Sequence, residues 1–235
     1  MKDVSVLIPA CNEAEIIKRN IQDLNDFLRN NYKSYEIIVA EDGSTDGTDN
    51  ILHLMSQGNK NIIHIHYSKR LGKGMALNNA FFSSSGKRIF MIDADFPVGL
   101  KCIVKMFGRL GKNDIVIGSR MMKSSVIKRS LSRSVASLSY NTLVRLLFRT
   151  GVRDHQCGVK AFKKEALSEI LPLMRSSSFF WDTELLINAK ELGYRILEMP
   201  ITWNDRGKGK SKVSVPRDSL KMAKNLMEFW RVNLH

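Results

Sequence analysis

Apolar residues in this chain fall into short runs separated by longer stretches of mixed polarity. Five runs have the length and β-branched content of buried strands: VSVLI (4–8), YEIIVA (35–40), IIHIHY (62–67), RIFMID (88–93) and DIVIGS (114–119). Between them the spacing turns helical, near 14–30, 45–57, 74–84 and 98–110. In the first of these helices Ile17, Ile21, Leu24 and Leu28 share one face. Strands alternating with helices predict parallel βαβ units in an open sheet covered on both sides. Beyond residue 120 the pattern predicts helices near 128–150, 163–173 and 181–193, a strand near 195–203 and a closing helix near 216–232. No repeat, low-complexity segment or long linker interrupts the chain.

In such sheets ligands bind beyond the carboxyl ends of the strands. The segments after the first four strands are PACNEAE, EDGSTDGT, KRLGKG and DADFP, so every polar or glycine-rich cluster of the first half falls on one rim. Singly, Asn12 and Ser44 read equally well as helix caps, and Gly43 and Gly47 as turn formers. Four such loops on one rim point to a ligand. Asp93 and Asp95, two residues apart at a strand end, would share a face if the chain stays extended there. Two anions so placed call for a divalent cation, basic partners or solvent. Lys73, between Gly72 and Gly74, would put a cation and backbone amides at a helix start, a setting that favours phosphate; a plain surface lysine is the other reading. No GxGxxG follows the first strand, and RLGKGMA lacks the full phosphate-loop pattern, which disfavours dinucleotide and nucleoside-triphosphate enzymes.

Charge sharpens this picture. There are 37 Lys+Arg against 23 Asp+Glu, a net of +14. Residues 1–117 hold 15 basic and 13 acidic side chains (+2), leaving 22 and 10 (+12) for 118–235. The second half therefore suits an anionic partner. Nucleic acid fits poorly, since Glu41, Asp42, Asp93 and Asp95 would repel a polyanion and interleaved aromatics are lacking. No apolar run reaches the roughly 18–20 residues of a membrane span. The N-terminus enters strand-like sequence at once, which predicts no signal peptide. Cys11, Cys102 and Cys157 are far apart, without metal-type spacing, and fit packing in a reducing compartment.

The ordered series VLIPACNEAEII, IIVAEDGSTDGT, GKGMAL, MIDADF and IVIGSR resembles glycosyltransferase family two, of the GT-A fold. GVRDHQCGVKAF (151–162), FFWDTELLINA (179–189) and ITWNDRGKGKSKV (201–213) narrow the likeness to enzymes that load a sugar onto dolichyl phosphate, the glucosyl-transferring ones above all. The resemblance implies an α/β, Rossmann-like GT-A domain over 1–215, with a mostly parallel sheet and helices on both faces. Residues 1–120 would form its nucleotide-sugar half and 121–215 its acceptor half, with a C-terminal amphipathic helix over 216–235. It implies an inverting transfer of a hexose, glucose first, from UDP-glucose to a polyisoprenyl phosphate. The alternatives are GDP-mannose as donor and an inactive nucleotide- or anion-binding protein.

By the same resemblance Pro9, Ala10, Asn12 and Glu13 line the nucleotide pocket, and Glu41 and Asp42 hold base and ribose. Lys73 joins the nucleotide-sugar site. Asp93 and Asp95 contact the sugar nucleotide and a Mg²⁺ or Mn²⁺ on its diphosphate, while Asp154 and Gln156 face the donor sugar. Arg120, Arg133, Ser137, Arg206 and Lys212 bind the acceptor phosphate. Asp182 and Glu184 stand where relatives with hydroxyl acceptors keep a base; here they would orient a donor hydroxyl or an arginine, and Asp182 reads equally as a helix N-cap. His155 has no role in this scheme. Three positions depart from the family pattern: Glu41 for Asp, Arg70 for Asn, and Pro97 where some relatives add a polar metal ligand. The helices near 128–150 and 216–232 mix apolar and basic residues. They either lie in a membrane interface or pack on the core, the former implying peripheral attachment to the cytoplasmic face of a membrane. A small membrane-anchoring subunit is a further partner the resemblance admits.

Overall fold

The computed structural model describes residues 1–128, 131–204 and 215–232, with the side chains of Ser132 and of 215–220 left out. Seven strands form one sheet in the order β3-β2-β1-β4-β7-β5-β8. They are β1 Val4–Ala10, β2 Tyr35–Asp42, β3 Ile62–Tyr67, β4 Arg88–Met91, β5 Ile115–Ser119, β7 Lys160–Lys163 and β8 Ile196–Pro200. A second sheet pairs β6 Val126–Lys128 with β9 Thr202–Asn204 in parallel. The helices are α1 Ile17–Asn31, α2 Thr48–Gly58, α3 Lys73–Phe82, α4 Lys101–Phe107, α5 Leu131–Phe148, α6 Lys164–Ile170, α7 Trp181–Glu191 and α8 Val215–Val232.

Strand alternation sorts the core into two layers. Val4, Val6 and Ile8 of β1 and Ile37 and Val39 of β2 pack under α1, α2 and α4 through Ile21, Leu24, Leu52 and Ile103. Leu7, Ile38, Ile89 and Met91 point the other way, onto Leu77 and Phe81 of α3, Leu167 of α6 and Leu185 of α7. Apolar side chains on both faces of β1 and β2 are what a central parallel strand needs.

Three features refine the sequence reading. The sheet is mostly parallel, as expected, with β7 running antiparallel between β4 and β5. Its four residues, KAFK, are too short and too basic to read as a core strand. The apolar run near 195–203 breaks at Ile201, so β8 pairs with β5 and β9 leaves for β6. Third, β4 stops at Met91, and residues 93–96 form a turn in which the Phe96 amide donates to the Asp93 carbonyl at 3.0 Å. Phe96 has φ 44°, a strained value for a bulky residue. Asp93 and Asp95 therefore flank a turn, and the extended-chain argument for their shared face does not apply.

Candidate active site

The rim beyond β1, β2 and β4 is built from cross-links between loops. Asn12, in the left-handed region at φ 56°, donates its amide to Ser44 Oγ at 2.8 Å and accepts the Thr45 amide on Oδ1 at 2.8 Å. The Glu13 amide donates to Thr48 Oγ1 (2.8 Å) and the Ala14 amide to Asp46 (3.0 Å). Asn12 and Ser44 are thus splints between the first two loops, and neither caps a helix. Pro9 is half-buried and Ala10 buried at the end of β1 beneath them.

Glu41 and Asp42 are both buried. Glu41 accepts the Ser44 amide and contacts His66 Nδ1 at 2.7 Å. Asp42 accepts the amides of Leu71 (2.5 Å) and Gly72 (3.0 Å), while the Gly74 amide donates to the Ser177 carbonyl at 3.0 Å. The amides of Gly72 and Gly74, expected to await phosphate at the start of α3, are therefore engaged within the protein. Both glycines have a steric reason. Gly72 sits at φ 100° against the Ser177 carbonyl, and a Cβ on Gly74 would come within 2.7 Å of the Trp181 ring.

Lys73 points into a chain of charges. Its ammonium lies 3.0 Å from Asp93 and 3.2 Å from Asp182, and Asp182 lies 2.5 Å from Lys160 Nζ. Lys160 is 1% exposed and also donates to the Cys157 carbonyl. Burial alone would raise the Asp182 carboxyl, but Lys160 and Lys73 outweigh it and hold it below the usual carboxylate range. Burial likewise opposes the charge on Lys73; Asp182 and Asp93 reverse that and fix it as a cation. Asp182 is no N-cap, since Phe180 holds that position without a side-chain cap. Glu184, two residues on, accepts the amides of Arg175 and Ser176 at 2.8 Å and anchors the segment before α7. Burial raises its carboxyl.

Across the rim, Arg120 grips Asp154 through Nε (2.8 Å) and Nη2 (2.9 Å), a two-point fork, and its guanidinium stacks 5.0 Å from the Trp203 ring. Asp154 is buried, and Gln156 contacts Met222. Gly158 lies beside the Asp93 carboxylate, where a Cβ would collide with it. Burial opposes the Arg120 cation, Asp154 outweighs it, and Asp93 adds a smaller electrostatic contribution. Ser137 is buried in α5 and Arg133 half-buried one turn earlier; Arg206 and Lys212 lie outside the described residues.

Asp93, one-third exposed beside Lys73, and Asp95, half-buried in the same turn, are hard oxygen donors. With Gly158 leaving room for one carboxylate, that donor set fits Mg²⁺ or Mn²⁺, which bind through one or two carboxylates plus substrate phosphates.

Sequence reading missed Lys160 and did not connect Lys73 to Asp182. It also gave His155 no role. His155 is buried, with Nδ1 2.9 Å from Asn141 Oδ1 and Nε2 2.7 Å from Thr150 Oγ1. Burial first, then Lys160 and Arg145, push its pKa down to about 4. Below its ordinary 6.5 the unfolded chain takes up a proton that the native site refuses. Stability is thus full above about pH 6.5 and falls as pH drops towards 4, by roughly 3 kcal/mol in all. Urea denaturation at pH 7 and pH 4.5 should show this loss, and His155→Gln should remove most of it. An unchanged slope in that variant would place the acid sensitivity elsewhere.

Residues 5–171 match the family profile described as Glycosyl transferase family 2. The chain is 37% identical over 234 residues to the Glycosyltransferase AglD of Haloferax volcanii, spanning 97% of this chain and 37% of that protein. It is 31% identical over 245 residues to the Dolichyl-phosphate beta-glucosyltransferase of Saccharomyces cerevisiae, spanning 95% and 73% respectively. The crystal structure of glucosyl-3-phosphoglycerate synthase from Mycobacterium tuberculosis with Mn²⁺, UDP and glucosyl-3-phosphoglycerate superimposes with a TM-score of 0.72 at 19% identity. That match covers 97% of this chain and 79% of the other, and the likeness is one of GT-A fold.

Proposed function

We propose, from the premise that this chain belongs to glycosyltransferase family 2 and is a glycosyltransferase, that it moves glucose from UDP-glucose to a polyisoprenyl phosphate of the dolichyl type. The observation that carries this reading is the 31% identity to a dolichyl-phosphate beta-glucosyltransferase over 95% of the chain, acceptor-side segments included.

In the reaction an acceptor phosphate oxygen bonds to the anomeric carbon as the bond from that carbon to the nucleotide diphosphate breaks. The bonding pair leaves with UDP. Attack opposite the leaving group inverts the centre, so an α-linked donor gives a β-linked lipid phosphate. A phosphate monoester with a second pKa of about 6 is already ionised at neutral pH. No carboxylate need then take a proton. That suits Asp182, held between two ammonium groups, and Glu184, held by two backbone amides.

Asp93 and Asp95 would hold the metal; when bound, Mg²⁺ or Mn²⁺ stabilises the charge growing on the departing diphosphate. Lys73 keeps the Asp93 carboxylate oriented at that end. Arg120 is a positioning residue in this scheme: its fork fixes Asp154 and so seats Gly158 against Asp93. Contact with the acceptor phosphate falls to Arg133, with Ser137 one turn on, and to Arg206 and Lys212. The purified protein should convert dolichyl phosphate and radiolabelled UDP-glucose to an extractable glucolipid when Mg²⁺ or Mn²⁺ is present. Product from GDP-mannose alone would move the reading to that donor, and no lipid-linked product from either would overturn it.

No helix among the described residues is long and apolar enough to cross a membrane. An acceptor with a lipid tail still needs an apolar approach, and α5 offers one. Leu131 (84% exposed), Val135, Leu138 and Leu146 (72%) form a stripe on its outer side. Val144 on the inner side packs with Phe180 and Leu226, which is also where α8 places its apolar face. We assign α5 to the interface, lying on the anionic cytoplasmic leaflet with Lys128 and Arg149 near its ends. Burying two leucines contributes about 3–6 kcal/mol. Leu138→Glu with Leu146→Glu should therefore lower flotation with anionic vesicles at least tenfold. Wild-type flotation by the double variant would exclude α5 as the contact.

A further inference from the structure

We propose a second metal site, separate from the Asp93 and Asp95 end of the rim, in which His64, His66, Glu41 and Asp49 together hold one borderline divalent ion, with Zn²⁺ the best match. The site follows from strand register. Side chains two apart on a strand share a face, so the IIHIHY run of β3 projects both imidazoles to one side. The parallel pairing of β2 with β3 sets Glu41 directly beside His66, and the first turn of α2 brings Asp49 over both.

The four side chains each present a ligand atom, and these atoms all lie within 4.8 Å of one another. His66 Nδ1 is 2.7 Å from Glu41 Oε2 and 3.0 Å from Asp49 Oδ1, and His64 Nε2 is 3.3 Å from the same Asp49 oxygen. Ligand atoms bonded tetrahedrally to Zn²⁺ at about 2.0–2.1 Å stand roughly 3.3 Å apart, so small side-chain rotations close the set on one ion.

An independent observation points into the same space. The His64 side chain is 6% exposed, and its Nε2 is buried without a hydrogen-bond partner. Its 3.3 Å approach to Asp49 makes no hydrogen bond. A buried ring nitrogen in that state is rare in native proteins, and a metal ion would satisfy its lone pair. Charge argues likewise. Two carboxylates converge on His66 Nδ1, which can offer one proton between them. A dication neutralises both. Two imidazoles with two carboxylates suit Zn²⁺ better than Mg²⁺ or Ca²⁺, which prefer all-oxygen shells. Four protein ligands make a closed, structural site. The ion would pin the start of α2 to the sheet edge, behind the Glu41–Ser44 contact that shapes the second loop.

The test uses the full chain, stripped with chelator and titrated with Co²⁺ alone. The intense visible bands of four-coordinate Co²⁺ should grow to one ion per chain and be bleached by Zn²⁺, which should also raise the melting temperature. H64Q and H66Q should each lose the bands, and their Zn²⁺ affinity should fall by at least the roughly 100-fold that loss of an outer-shell partner can cost. The double variant D93N/D95N should keep the bands. Their absence in the wild-type protein, their survival in both histidine variants, or their loss in D93N/D95N would each overturn the proposal. The wild-type titration decides the matter even where a variant fails to fold.

Discussion

Asp93→Asn is expected to lower glucolipid formation by about 10²- to 10³-fold, the scale seen when one group that stabilises developing charge is removed. Asparagine keeps the shape that sits against Gly158 and removes the charge that faces Lys73 and, in the proposed reaction, would hold the metal. Lys73 retains Asp182 as a partner, and Asp93 is one-third exposed, so the fold should hold with a melting temperature close to that of the wild type. Initial rates at saturating UDP-glucose, with Mg²⁺ varied, separate weakened metal binding from a slower step. Full activity at ordinary Mg²⁺ would remove Asp93 from the reaction.

Asp182→Ala should show the largest loss of stability. It leaves the ammonium of Lys160, 1% exposed, with the Cys157 carbonyl as its remaining partner, and leaves Lys73 with Asp93 alone. Removing one member of a buried ion pair costs about 3–5 kcal/mol. At about 2–4 °C per kcal/mol for a domain of this size, the melting temperature should drop by roughly 10 °C. Calorimetry checks this. A drop below about 2 °C would mean that Lys160 finds water or another anion, and that the charge chain does not brace the centre of the fold. Activity should fall as well, because Lys73, freed from Asp182, would bind Asp93 more tightly.

Much of the architecture was legible because β1, β2, β3 and β4 are apolar runs each followed by a helix, and β5 is a further apolar run. The strands that were missed or misjudged are those whose pairing depends on distant sequence. Four residues of β7 carry a lysine at each end, and nothing local says that Lys160 will be neutralised by Asp182, 22 positions later. The rim was visible as a set of loops, but the duties of its polar groups were not. Asn12, Ser44 and Asp42 hold one loop to another, a role fixed by tertiary approach. Arg120 and Asp154 were each read as site residues, and no local signal announced that, 34 residues apart, they bind each other. The histidine pair of β3 did carry a signal, alternation on a strand beside a glutamate, that could have been read directly.

The reversed strand has a consequence for how the chain is made. Both sheet neighbours of β5 come from later sequence, since β7 and β8 flank it. A growing polypeptide that has emerged as far as Ser119 has its first four strands ready to pair, while the fifth must wait about forty residues for a partner. Until then the β4 margin stays open, a template for unwanted pairing with another nascent chain. Cutting the gene near residue 120 to isolate the first half should therefore give an aggregating fragment, whereas a cut beyond Pro200 keeps every strand of the main sheet.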